Sequence, residues 1–382
     1  AMESINTQFT ALQDKTNTAV AEFNAHFTMT DEVGKVVAYL DETVKEATET
    51  LSEDGLYNAG AHFTGVEKTH RDALAAKATE ADGYYKDGTA VVNKDAFLKS
   101  LTTIKNLIKK EYVGRWKRGL DAYNTARGKI EAIEPSLTDL TDIVGKNSTV
   151  PILLEGYEDK SYGNVIDAVK ADTTKITDGI AGANKKDGAD HILEMERVAK
   201  WSIGYTAEQL IALKGAFAAD KAHYDKQVTI DAAETMLGTA QRLANGLGNR
   251  ITDVKNGATA TDCGDAQSTA IGTKADALST TIATAFDELK TKYNAIDEVT
   301  GDTEDEIFNK KHAAATAFSK AVTDFIAKAN IGTDAEKSYT AQVEELETAL
   351  DNAKKSYKEY NARVKQLNDI EAAITKQKNY ID

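Results

Sequence analysis

The stretch that opens Val343-Glu344-Glu345-Leu346-Glu347-Thr348-Ala349-Leu350 decides the fold class. Its apolar members, Val343, Leu346, Leu350, Ala353, Tyr357, Tyr360, Val364 and Leu367, follow alternating steps of three and four. That is the a/d seam along which α-helices pack side by side with a left-handed twist. Ile370, Ile374 and Ile381 carry the stripe on after one three-residue slip. The spacing predicts a helix over about 334–380, on the order of 70 Å long at roughly 1.5 Å per residue. A helix of that length does not fit inside a compact globule, so an elongated molecule is expected.

The rest of the chain agrees with helix. Among 382 residues there are two prolines, Pro135 and Pro151, and aromatic residues make up only 7%. Ala, Lys, Glu and Asp are abundant, and all but Asp are good helix formers. Alternating Val/Ile/Tyr runs bounded by turns, the mark of strands, are missing. Punctuation predicts helix ends at Thr28-Met29-Thr30-Asp31, Ser52-Glu53-Asp54-Gly55, Lys86-Asp87-Gly88, Glu134-Pro135, Lys185-Lys186-Asp187-Gly188 and Asn256-Gly257. Starts are expected at Asn93, at Asp190 and at two capping boxes, Thr303 with Glu306 and Thr333 with Glu336. The predicted class is all-α: elongated tandem three-helix bundles with a long C-terminal heptad helix. The expected division is 1–90, then 91–186 with a proline-bounded connector 135–151, then 187–300. Residues 301–382 would form a helical hairpin or an incomplete bundle.

Two blocks match at an offset of 85 residues and hold both tryptophans. One runs Leu107, Ile108, Glu111, Val113, Arg115, Trp116, Gly119, Ala122; the other runs Ile192, Leu193, Glu196, Val198, Lys200, Trp201, Gly204, Ala207. Ile108, Tyr112, Trp116, Leu120 and Tyr123 recur at helical spacing, as do Val198, Trp201 and Tyr205. Each tryptophan is therefore expected on a helix, as a core anchor of one of two successive bundles. Helices in threes opened by a Trp-bearing helix resemble spectrin-like repeats, with Trp116 and Trp201 in the place of the core tryptophan. The composition also resembles helical stalk regions of large bacterial surface proteins. Both likenesses imply a structural rod rather than an enzyme.

The net charge of −15 disfavours nucleic acid and anionic lipid. The single cysteine, Cys263, excludes an intrachain disulfide. No apolar run nears the ~20 residues of a membrane span. The opening Ala1-Met2-Glu3 reads as the start of an expressed piece, compatible with a signal peptide or anchor elsewhere. Against the acidic whole, Lys105, Lys109, Lys110, Arg115, Lys117, Arg118, Arg127 and Lys129 are eight cations facing only Glu111 and Asp121, a local net of +6. Pairing with acidic neighbours explains such a face; so does a site for an acidic protein partner, surface glycan or other polyanion. The residues for that site are Lys109, Lys110, Arg115, Trp116, Lys117 and Arg118. Glu67 with His70, and Asp220 with His223, have the i, i+3 spacing of di-iron bundle ligands, but fall in different expected bundles. No metal, cofactor or catalytic residue is therefore expected. The expected function is a non-enzymatic structural, adhesion or spacer protein at the cell surface or outside the cell, a cytoplasmic location being the alternative. The competing function is a binding module working through the basic helix around Trp116, and a remote one is a metal-binding bundle.

Overall fold

A computed structural model describes residues 2–86, 93–112, 114–332 and 336–381. The Asp87-Gly88 turn, Val113 and the Thr333 end of the second capping box lie outside the described residues. The fold is all-α. Among the described residues there are eleven α-helices, one 3₁₀ turn and no strand; two isolated bridges, Leu51 with Asn58 and Pro151 with Ser161, close short loops. The chain divides into two units, Ala1–Ala218 and Ala219–Asp382.

The first unit contains α1 (Met2–Glu49), the 3₁₀ turn Ala59–His62, α2 (Thr64–Lys86), α3 (Lys94–Tyr112), α4 (Arg115–Val144), α5 (Tyr162–Ala183) and α6 (Gly188–Ala199). The helix α7 (Ala207–Gly257) gives its first residues to this unit and the remainder to the other. The main core of the first unit draws on every helix from α1 to α6, from Met29 through Phe63, Leu74, Phe97, Ile108 and Tyr112 to Ala183 and Met195. A satellite core joins Ala126, Ile130, Ile176 and Val198. The second unit holds the rest of α7 with α8 (Ala260–Cys263), α9 (Asp265–Asp297), α10 (Glu304–Asn330) and α11 (Tyr339–Ile381). Its core runs through Ile251, Ile282, Phe286, Phe318, Phe325 and Val343. The lone cysteine, Cys263, is buried there.

Several helix ends differ from those the sequence suggests, each for a local reason. The first helix does not stop at Thr28. The hydroxyls of Thr28 and Thr30 donate to the carbonyls of Asn24 and His26, one turn back, so the threonines are absorbed by the helix. Beyond them Met29, Val33, Val36, Leu40, Thr43 and Ala47 form one buried stripe that holds α1 together to Glu49.

Pro135 lies inside α4 rather than at its end. It forfeits a hydrogen bond to the fourth residue back, a change that costs about 3 kcal/mol in a helix interior. The stripe Ile130, Ile133, Leu137, Leu140 and Val144 is buried on both sides of it. Fully burying such side chains is worth roughly 1.5–3 kcal/mol each, so packing carries the helix through. The expected helix from Asn93 to Ile133 is instead two. Asn93 does cap α3, its Oδ1 accepting from the amides of Asp95 and Ala96. Gly114, at φ +80°, then separates α3 from α4. Where a helix starting at Asp190 was expected to carry Trp201, α6 ends at Ala199 and α7 begins at Ala207. Thr303 caps α10 as expected, the Glu306 amide donating to its hydroxyl at 3.2 Å, but the return bond goes elsewhere: the Glu306 carboxylate accepts from the Asp302 amide rather than from that of Thr303.

In α11, Val343, Leu346, Leu350 and Ala353 are buried as the heptad reading requires. Past Ala353 the stripe leaves the core: Tyr360, Leu367, Ile370 and Ile374 are all more than half exposed.

Candidate functional site

The basic region expected around Trp116 is a helix junction. Lys109 and Lys110 occupy the last turn of α3, where cations complement the helix dipole. Gly114 turns the chain, and Arg115, Trp116, Lys117 and Arg118 make the first turn of α4. Trp116 is buried against Tyr112, with ring centroids 6.1 Å apart, so it anchors the junction and offers no face to solvent.

The surrounding cations divide into two sets. Four are engaged within the first unit. Lys105 lies 5.0 Å from the Tyr39 ring centre. Arg118 donates to Glu196 of α6 at 2.6 and 2.9 Å. Arg127 is 2.9 Å from Glu131. Lys129 donates from Nζ to the carbonyls of Ala199 and Trp201, at 2.7 and 2.6 Å, and so caps the C-terminal end of α6. Lys109, Lys110 and Lys117 are exposed and make no ion pair among the described residues; Arg115 is half-buried.

The two Trp blocks meet across the α4–α6 contact. Besides the Arg118–Glu196 pair, Gly119 of the first block lies against Ile192 of the second. A Cβ at 119 would collide with the Tyr57 hydroxyl and come within 2.7 Å of Ile192 Cδ1. The roles of the tryptophans differ. Trp201 is on no helix: it sits in the 200–206 loop, half-buried. Its indole rests on Gly179 of α5, where a Cβ would collide with the ring. Lys175 Nζ and the Arg197 guanidinium lie 5.0 and 4.9 Å from the ring centre, an arrangement of two cation–π contacts on one indole. The loop is tied to α5 by the Gly204 amide, which donates to Asp172 at 2.8 Å. An open groove of about 730 Å³ runs beside Trp201, lined also by Lys170, Thr174, Asp178 and Glu194.

This loop was missed by periodicity, although the sequence carries its signal. Thr206 and Gln209 form a reciprocal cap: the Thr206 amide donates to Gln209 Oε1 and the Gln209 amide to the Thr206 hydroxyl. That box starts α7 after the tryptophan rather than before it.

The densest polar cluster is buried where the segment after α1 meets α5 and α6. The acceptor for His191 Nδ1 is the Ala183 carbonyl at 2.8 Å, so Nδ1 carries the proton. Nε2 then accepts from the Tyr57 hydroxyl at 2.7 Å. His62 stacks on His191 with centroids 3.9 Å apart, and Tyr57 stacks on Tyr123. Burial pushes His62 down to about 4, with the neighbouring His191 adding to the shift. Burial also lowers His191 and raises Tyr57 well above the ordinary phenol range. A neutral imidazole with both nitrogens used, against an un-ionised phenol, is a crosslink between three segments.

The other histidine pairs are likewise committed. His70 Nε2 is 2.6 Å from Glu111, while Glu67 pairs with Arg71. His223 stacks on Phe308 at 4.0 Å. Among the described residues no group of three or more His, Cys, Asp or Glu is placed to hold a metal ion, and no helix is long and apolar enough to cross a membrane. No family model, no curated protein and no solved structure matches the chain.

Proposed function

We propose that this chain is a non-enzymatic structural, adhesion or spacer protein whose helical bundles set a distance between its ends. The observation that carries the reading is the length of three helices. α1, α7 and α11 hold 48, 51 and 43 residues. At about 1.5 Å per residue each spans roughly 65–75 Å, well beyond the diameter of an ordinary small domain. The commitment of the buried histidines and tyrosines to inter-helix contacts supports the same reading. In its finer form the bundles follow one another in tandem, in the manner of spectrin-like repeats, and the protein works at the cell surface. Small-angle scattering tests it: a spacer gives a pair-distance distribution with a long tail, and a compact globular profile would overturn the reading.

A second reading rests on Lys109, Lys110 and Lys117, exposed cations that make no ion pair among the described residues, around the buried Trp116 in a chain of net charge −15. With the half-buried Arg115 they suit an anionic surface glycan. Reversing Lys109, Lys110 and Lys117 to Glu should abolish salt-sensitive retention on heparin while the chain stays folded, at a cost of about 1–2 kcal/mol from the two carboxylates placed in the last turn of α3. Retention unchanged by the triple reversal would dismiss it.

A further inference from the structure

Two long apolar stripes lie outside both cores. In α1, ahead of the first buried residue Ala25, Met2, Ile5, Phe9, Leu12 and Val20 are between 54% and 81% exposed. In α11, after the last buried residue Ala353, Tyr360, Leu367, Ile370 and Ile374 are between 55% and 65% exposed. Scattered single apolar residues on a surface need no explanation, but these fall on one face of each helix, at steps of three and four or, from Leu12 to Val20 and from Tyr360 to Leu367, of two such steps together. Each free segment runs for roughly 25 residues, between three and four heptads, the length over which a coiled-coil seam is sustained. Most of a helix's stability in a protein comes from packing of its apolar face, and such a face gains most from a second helix laid along it.

The charges say which helix. From Met2 to Asn24 there are three carboxylates, Glu3, Asp14 and Glu22, and one cation, Lys15, a net of −2. From Lys354 to Lys378 there are seven cations and three carboxylates, a net of +4 in a chain whose total is −15. Pairing two α11 segments would bring like charge of +4 together, and pairing two α1 segments would do the same with −2. Only the mixed pair is attractive, and flanking charge of this kind sets partner choice between helices.

We propose that the exposed N-terminal part of α1 in one copy of this chain docks along the exposed C-terminal part of α11 in a second copy. The contact is heterologous: each copy offers a donor face on α1 and a different acceptor face on α11. Repeated, it produces rings if the rotation closes and open chains if it does not. It is independent of the spacer role, since a spacer can work as a single copy.

The experiment uses the full chain and two variants at exposed positions, Phe9→Asp with Leu12→Asp, and Leu367→Asp with Ile370→Asp. Sedimentation is followed from micromolar to sub-millimolar concentration. The wild type should form concentration-dependent oligomers. Each variant alone should be monomeric, having lost one of its two faces. Mixed in equal amounts, the two should form a dimer and nothing larger, because one intact α1 face and one intact α11 face remain between them. That recovery also shows that the surviving faces are folded. A wild type that stays monomeric throughout the range overturns the proposal, as does a single variant that still associates, which would mean like faces pair. A mixture that remains monomeric while the wild type associates overturns it too.

Discussion

The stack of half-buried His62 on buried His191 makes the first unit sensitive to acid in a window set by its geometry. His62 is held near 4 in the folded chain by burial, against 6.5 for an ordinary histidine. Between those values the unfolded chain binds a proton that the folded chain does not. Stability therefore rises with pH across the window, is fully present above 6.5, and is lost as pH falls toward 4. A displacement of that size sets an upper bound of about 3 kcal/mol when completed, and of about 2 kcal/mol by pH 5, which solvent around the half-buried ring reduces. The burial of His191 lowers its pKa as well, in the same direction. Both tryptophans belong to the first unit, so their fluorescence reports its unfolding and is blind to the second. Urea unfolding followed by tryptophan emission at pH 7.5, 6.5, 5.5 and 5 should show the midpoint falling steadily. His62→Phe preserves a flat ring over His191 but cannot titrate. Its stability should fall less steeply than that of the wild type between pH 6.5 and 5. Equal slopes for the variant and the wild type would refute the assignment of the acid sensitivity to this stack.

Three further outcomes follow from contacts in the first unit. Gly119→Val places side-chain atoms where Tyr57 and Ile192 already stand, and overpacking of this kind costs about 1–3 kcal/mol; the tryptophan-detected urea midpoint should drop accordingly. Lys129→Met removes the ammonium that binds the Ala199 and Trp201 carbonyls and should cost about 1.5–3 kcal/mol by the same measurement, the range for hydrogen bonds to charged groups. The tryptophans should also separate in acrylamide quenching. A Trp116→Phe variant, emitting from the half-buried Trp201, should quench more strongly than a Trp201→Phe variant emitting from Trp116; equal quenching would contradict their different burial.

Helix type was legible in this sequence far more than helix ends. The α11 seam could be read to Ala353 because each apolar position there is buried, as a core-facing stripe with helical period requires. The same period continues through Leu367 and Ile374, which are exposed, because a stripe says only that a face is apolar and not what covers it. Breaks failed where a residue with two uses took the less expected one. Threonine prefers helix starts, yet Thr28 and Thr30 spend their hydroxyls on the preceding turn. Proline prefers helix starts too, yet Pro135 stays inside because buried residues continue on either side. The basic face was legible as composition. That Arg118 and Lys129 belong to α6 and its end, leaving Lys109, Lys110 and Lys117 outward, depends on long-range contacts that no local pattern encodes.

The matched Trp blocks show the same limit from the other side, and suggest what their likeness marks. Read as stripes, they put each tryptophan in mid-helix. In the fold, each block straddles a junction: α3 ends at Tyr112 shortly before Trp116, and α6 ends at Ala199 just before Trp201. The recurring elements are an apolar helix end, a cation next to the tryptophan, and a glycine three residues after it. At the first junction the helix restarts at once, so Trp116 is drawn into the core and Gly119 admits Tyr57 and Ile192. At the second the restart waits for the Thr206–Gln209 cap. Gly204 is then free to donate its amide to Asp172, and Trp201 is left on Gly179 between two cations. A delay of a few residues in restarting the helix thus turns the same local pattern from a core anchor into the wall of a groove. It also explains why the blocks meet as partners across α4 and α6, where Arg118 of one finds Glu196 of the other.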